Sequence, residues 1–290
     1  MQVVILTDSS CDLPIGLIKD SNVEVIGLMC NFNNKQYEDD LGQTLPYKEF
    51  YDGIRNGEIP TTSQVNVYRF YKKFEKLIKE EKAVIYIGFD SRISGTLNSA
   101  FIARQQIIEK YKNADITVID TKCASIGEGL LVYEALNVLK NGKSKEEIVQ
   151  EIEDISHKMN HWFIVENLFY LKRGGRLSST KAVVGTILNM KPIIFINDDG
   201  ELINVCNIRG RKKAIRYLAS RFNEMHGFEN KVIGISHGDC VEDAEYLAEI
   251  MKSEFGVKKV LINYVGPVIG SHVGAGMLSL CFLAKNDRNI

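Results

Sequence analysis

Ala83-Val84-Ile85-Tyr86-Ile87-Gly88-Phe89 leads directly into Asp90-Ser91-Arg92-Ile93-Ser94-Gly95-Thr96, and this passage decides the architecture. Its first half is a short continuous apolar run, the pattern of a strand buried on both faces. Behind it, Leu97, Ala100, Phe101, Ile107 and Ile108 recur on one face of a helix. A strand feeding a helix through a short polar loop is half of a βαβ unit. Upstream, Pro60-Thr61-Thr62-Ser63-Gln64-Val65-Asn66-Val67 has the same design. Val67, Phe70, Tyr71, Phe74, Leu77 and Ile78 follow it at helical spacing. Both hydroxyl clusters are therefore expected at helix starts, where backbone N–H groups lack internal partners. If the two starts converge, hydroxyls, free N–H groups and two helix dipoles suit an anion. Taken singly, each cluster also reads as an ordinary Ser/Thr N-cap.

Outward from this passage, strand and helix patterns alternate. Val3–Leu6 and Val23–Met29 read as strands, followed by a polar stretch, residues 31–47, with Asn-Asn and Asp-Asp turn signals. Tyr47–Arg55 reads as a short helix and Ile116–Asp120 as a strand. Gly127–Asn141 is helical, and Ser144 with Glu147 forms a capping box for the next helix. This order implies a mostly parallel sheet covered by helices, with ligands beyond the C-terminal strand ends. Asp8, Asp90 and Asp120 stand at those ends. The pattern changes near residue 158. A strand at Trp162–Val165, a basic glycine turn from Leu171 to Ser178 and a helix around Lys181–Leu188 follow. Then come a hairpin across Asp198-Asp199-Gly200, a helix opened by Arg209-Gly210-Arg211-Lys212-Lys213, two further strands around a helix, and a last strand at Met277–Ala284. The expected organisation is an N-terminal α/β domain over 1–158 and a C-terminal mixed α/β domain over 159–290.

Composition narrows the function classes. The 290 residues are 45% apolar and 25% charged, with a net charge of −1, which gives no electrostatic case for a nucleic-acid or membrane-surface partner. No apolar run approaches the ~18 residues of a transmembrane segment, and the start reads as a strand, not a signal peptide. Six scattered cysteines without a Cys-x-x-Cys pair suit reduced thiols in a cytoplasmic protein and exclude a zinc site.

Gly234-Ile235-Ser236-His237-Gly238 matches the serine-hydrolase elbow between a strand and a helix. An acid and then a histidine must follow. His272 is available, but the intervening acids crowd into the adjoining turn and helix. An esterase using Ser236 is the alternative to a binding protein. His157 and His161 have i,i+4 spacing without the glutamate of a zinc protease, and read as a helix end and a surface turn. The glycines match neither a Walker A loop nor G-x-G-x-x-G after a first strand. His272 sits in the glycine-rich stretch 266–276, where a ligand role and a structural one are equally open.

Taken together, Thr7-Asp8-Ser9-Ser10, Thr62-Ser63-Gln64, Ser94-Gly95-Thr96, Val118-Ile119-Asp120-Thr121, Leu171–Ser178, Lys191-Pro192-Ile193 and residues 269–276 resemble the DegV family over essentially the whole chain. The resemblance implies an N-terminal fold similar to dihydroxyacetone kinase and mannose-transporter domains, and one long-chain fatty acid, palmitate-like, bound in a tunnel between two α/β domains. It implies a non-catalytic subunit of bacterial fatty acid kinase, without a cofactor, that presents the carboxylate to a separate ATP-binding subunit. The acyl phosphate made there enters phospholipid synthesis. The carboxylate-binding positions carried over are Thr62, Ser94 and His272. Arg173, Arg176, Arg209 and Arg211 are candidate partner contacts on charge alone. Asp90-Ser91-Arg92-Ile93 departs from the family's Ser-Ser-Gly pattern, and Gly274-Ala275-Gly276 from its Gly-Pro-Gly.

Overall fold

A computed structural model describes residues 1–19, 21–177, 189–227 and 232–288. The N-terminal half comprises β1 (Gln2–Asp8), α1 (Ile15–Ile18), β2 (Val23–Ile26), β3 (Met29–Phe32), β4 (Lys35–Glu38), α2 (Tyr47–Arg55), β5 (Thr61–Ser63), α3 (Val67–Lys79), β6 (Lys82–Gly88), α4 (Thr96–Lys110), β7 (Ile116–Asp120), α5 (Ile126–Lys140) and α6 (Lys145–Ser156). Strands in the order β2-β1-β6-β7 form one all-parallel sheet. Its two faces are covered as a parallel sheet requires. Phe70, Phe74, Leu97, Ala100 and Ile107 of α3 and α4 pack on one side, with Val84 and Tyr86. Leu131, Ala135, Ile148 and Ile152 of α5 and α6 pack on the other, with Ile5, Ile85 and Ile87.

The second half comprises β8 (Met159–Ile164), α7 (Phe169–Arg173), β9 (Met190–Ile196), β10 (Leu202–Arg209), α8 (Arg211–Met225), β11 (Val232–His237), α9 (Val241–Ser253), β12 (Lys259–Tyr264), α10 (Pro267–Val273) and β13 (Leu278–Leu283). Its sheet runs β10-β9-β8-β13-β11-β12, antiparallel except for the β11–β12 pair. The period of two along β8 divides its side chains cleanly. Trp162 and Ile164 join Leu218, Phe222 and Leu247 under α8 and α9, whereas Phe163 and Val165 face the other way with Leu171 and Val273. Helix α5 packs between the sheets, against β1 and β6 on one side and β8, β11 and β13 on the other. That placement explains why it is apolar nearly all round. At the C-terminus, buried Arg288 donates to the carbonyl of Lys122 at 2.6 Å, tying the end of the chain to the loop after β7.

Two expectations need correction. Residues 31–47 are not simply a polar connection. Asn33 and Asn34, both at positive φ, turn β3 into β4, and β5 pairs on the other side to give a small antiparallel sheet. Thr62 therefore lies in β5, opposite Cys30, and does not cap α3. The cap is Asn66, whose side chain accepts from the Arg69 N–H at 3.0 Å. Within the stretch 266–276, residues 267–273 form helix α10, with Pro267 at its first turn, where a missing N–H costs nothing. The helix expected around Lys181–Leu188 lies outside the described residues.

Candidate functional site

Between the two sheets lies a cavity of about 300 Å³. Phe89 and Ile93 from the first half and Phe163, Leu171, Ile196 and Val273 from the second make most of its wall apolar. Exposure orients it. Ser63 and Gln64 are exposed at one end, while His161, Ser279 and Cys281 are buried at the other.

Thr62, Ser94 and His272 all line this cavity. Strand β5 delivers Thr62 and the last turn of α10 delivers His272, so that Thr62 Oγ1 and His272 Nε2 lie 2.8 Å apart. The other ring nitrogen, Nδ1, has no hydrogen-bond partner among the described residues. Gly174 permits this placement, because a Cβ there would collide with Nδ1. Burial, reinforced by Arg176 and Arg173, pushes the His272 pKa down to about 4, so the imidazole is neutral near pH 7. Ser94 precedes the Gly95 cap of α4. Its Oγ accepts from the Thr96 N–H at 3.2 Å and donates to Thr96 Oγ1 at 3.0 Å. One of the two hydroxyl clusters thus borders a helix start and the other a strand, yet both reach the same space. Gly95 has no side chain because Gln64 packs directly over it.

Arg176 also lines the cavity, a position that charge in the sequence assigned only to a partner surface. Its Nε donates to the Ile93 carbonyl at 3.1 Å, across the cavity rim. Half-burial lowers its pKa, but a guanidinium stays charged at any physiological pH. Thr62, Ser94 and a fixed positive charge therefore surround one spot, with neutral His272 as the fourth member. Hydroxyl donors beside a guanidinium suit a carboxylate. The other candidate contacts are elsewhere. Arg173 donates to the carbonyls of Pro60 and Ser271, Arg211 pairs with Asp243 and Glu166, and Arg209 is exposed at the end of β10.

The strand-end aspartates act on the chain itself. Asp8 accepts from Tyr86 Oη at 2.7 Å and from the Ser10 and Phe89 N–H groups. Asp120 accepts from Ser91 Oγ at 2.5 Å. Asp90 is fully buried against Gly200, and burial pushes its pKa up to about 7.

Ser236 does not sit on an exposed elbow. It is buried within β11, opposite Asn263, and its Oγ meets Ser125 Oγ at 2.8 Å and Ser279 Oγ at 2.6 Å. No histidine is among its hydrogen-bond partners. The left-handed residue of the following turn is Asp239. His161 is likewise no surface turn. It is a buried residue of β8 that lines the cavity, placed there by strand alternation, while His157 at the end of α6 pairs with Asp198 at 2.8 Å. Among the described residues no cluster of His, Cys, Asp or Glu could hold a metal, and no helix is long and apolar enough to cross a membrane.

The DegV family model, described as covering uncharacterised proteins, matches residues 2–285. A DegV domain-containing protein of Clostridium perfringens is 46% identical over 286 residues, covering 98% of both chains. One from Caldanaerobacter subterraneus is 36% identical over 285 residues, covering 98% of this chain and 99% of that one. Among solved structures, a Thermus thermophilus DegV family protein described as fatty-acid binding superimposes with a TM-score of 0.87 at 30% identity, covering 98% of this chain and all (100%) of that one. The Bacillus subtilis protein DegV, described as a fatty acid binding protein, gives 0.84 at 30% identity over 98% and 100%. On the match over nearly its whole length, the chain belongs to the DegV family.

Proposed function

We propose that this chain binds a single long-chain fatty acid, with its carboxylate at Thr62, Ser94 and His272 and its tail in the cavity between two domains, 1–158 and 159–290. The observation that carries this reading is the convergence of Thr62, Ser94, His272 and Arg176 on a cavity whose wall is mostly apolar. Burying about fourteen methylenes of a palmitate-like acid at ~0.8 kcal/mol each is a gross gain near 11 kcal/mol, before association costs. Head-group hydrogen bonds contribute about 1.5–3 kcal/mol each. The tail supplies most of the affinity, and the polar mouth sets which end faces out. The cytoplasmic chain then hands its cargo, without catalysing anything itself, to a separate ATP-binding kinase subunit for acyl-phosphate formation.

Isothermal titration with palmitate tests the head-group assignment. Ser94→Ala and Thr62→Ala should each weaken binding by about tenfold, the loss of one such hydrogen bond, while the variants stay folded. Unchanged affinity in both would remove the carboxylate from these residues.

A further inference from the structure

The buried end of the cavity is polar, and an unsubstituted acyl chain has no use for it. Along β13, Leu278, Leu280 and Phe282 turn away into the core under α8 and α9, so Ser279 and Cys281 face the cavity. They lie opposite Phe163 and His161 of β8. Ser63 and Gln64, next to Thr62, are exposed, whereas His161, Ser279 and Cys281 are buried, so these groups meet the acyl chain and not its carboxylate.

A chain of hydroxyl contacts joins Ser279 to Asp12. Ser125 Oγ donates to Asp12, Ser236 Oγ lies 2.8 Å from Ser125 Oγ, and Ser279 Oγ lies 2.6 Å from Ser236 Oγ. The Ser236 N–H donates to Ser279 Oγ at 3.1 Å. Asp12 is itself anchored by the Gly266 N–H at 2.8 Å and, through its carbonyl, by Asn263 at 2.9 Å. With each hydroxyl proton directed along these contacts toward Asp12, Ser125 and Ser279 each keep one unused lone pair. Ser125 holds its place at φ 53°, ψ −145°, a backbone region that a non-glycine residue occupies only when its surroundings impose it. Beside these acceptors stands a donor. His161 Nε2 accepts from the Ala124 N–H at 3.4 Å, which leaves the proton of the neutral ring on Nδ1. Burial keeps that ring neutral by pushing its pKa down to about 3. Nδ1 has no well-aligned hydrogen-bond partner among the described residues, its one nearby acceptor being the Met159 backbone, although the side chain is only 2% exposed. A buried donor with a poor acceptor keeps part of its desolvation cost.

We infer that the cavity floor formed by Ser125, His161 and Ser279 recognises a hydroxyl group on the acyl chain, so that the ligand class is a hydroxylated long-chain fatty acid. A hydroxyl is both donor and acceptor, and matches a serine lone pair and the His161 N–H at once. This rests on the fatty-acid reading above and adds the chemistry of the chain.

The test is displacement titration with stearate and a positional series of hydroxystearates. At least one isomer should bind about tenfold tighter than stearate, the gain of one or two buried hydrogen bonds. The ratio should fall to about one in Ser279→Ala and in His161→Phe, each removing one side of the match. Stearate binding as tightly as every isomer overturns the inference alone, as does a preference that survives in both variants. Binding of neither acid overturns the fatty-acid reading and this inference with it.

Discussion

The Asp90 carboxylate is buried, with Oδ2 lacking a partner among the described residues. Burial raises its pKa from 3.8 to about 7. Between those values the folded chain holds a proton that the unfolded chain has lost, so stability falls as pH rises through that window. Asp90→Asn should therefore stabilise the protein at pH 8, on the order of 2 kcal/mol, and have little effect near pH 4. Urea unfolding at both pH values measures this, and a variant less stable at pH 8 contradicts it. Asp39, also raised to about 7 by burial, keeps part of the slope in the variant. His272 acts in the opposite sense. Its pKa falls from 6.5 to about 4, so its contribution is present above 6.5 and is lost as pH drops toward 4.

At the scale of elements, the hydroxyl stretch before α3 divides its work. Thr62 belongs to a strand and reaches the cavity, while Asn66 caps the helix. Asn66→Ala should cost about 1 kcal/mol of stability, as loss of an N-cap usually does. Palmitate affinity should not change, because β5 is held by its pairing with β3. A loss of affinity as large as that of Thr62→Ala would mean that helix start and site are one unit. Helix α10 shows how local pattern misleads. Four glycines stand between 266 and 276, and glycine is a poor helix former. Yet the helix forms because its small residues let it pack closely against Phe50 and Tyr51 of α2. That packing aims His272 at Thr62.

For the whole molecule, the proposed hand-over to a kinase subunit requires a docking face. Arg173, Arg176 and Arg211 are engaged with carbonyls or carboxylates of this chain, which leaves Arg209 as the candidate contact without an ion pair among the described residues. Exposed charge acts mainly on encounter, and salt screens it. Arg209→Glu should lower acyl-phosphate production by purified kinase subunit and make it less salt-sensitive, with fatty-acid affinity unchanged. Wild-type rates across a salt series would move the docking surface elsewhere.

The parallel sheet, its helices and the Ser144 capping box were legible in the sequence, because hydrophobic period and capping are local properties. The motifs around Thr62, Ser94 and His272 also marked, in order along the chain, residues that share one cavity. What tertiary structure alone decided was contact between remote positions. Thr62 and His272 meet through the pairing of β5 with β3 and the packing of α10, and Arg176 turns inward because carbonyls of the rim take its N–H groups. His161 and Ser236 lie deep in strands because one-residue alternation in the second sheet sends each side chain to a particular face. That assignment depends on which strands become neighbours, and no stretch of residues specifies its neighbour before the chain has folded.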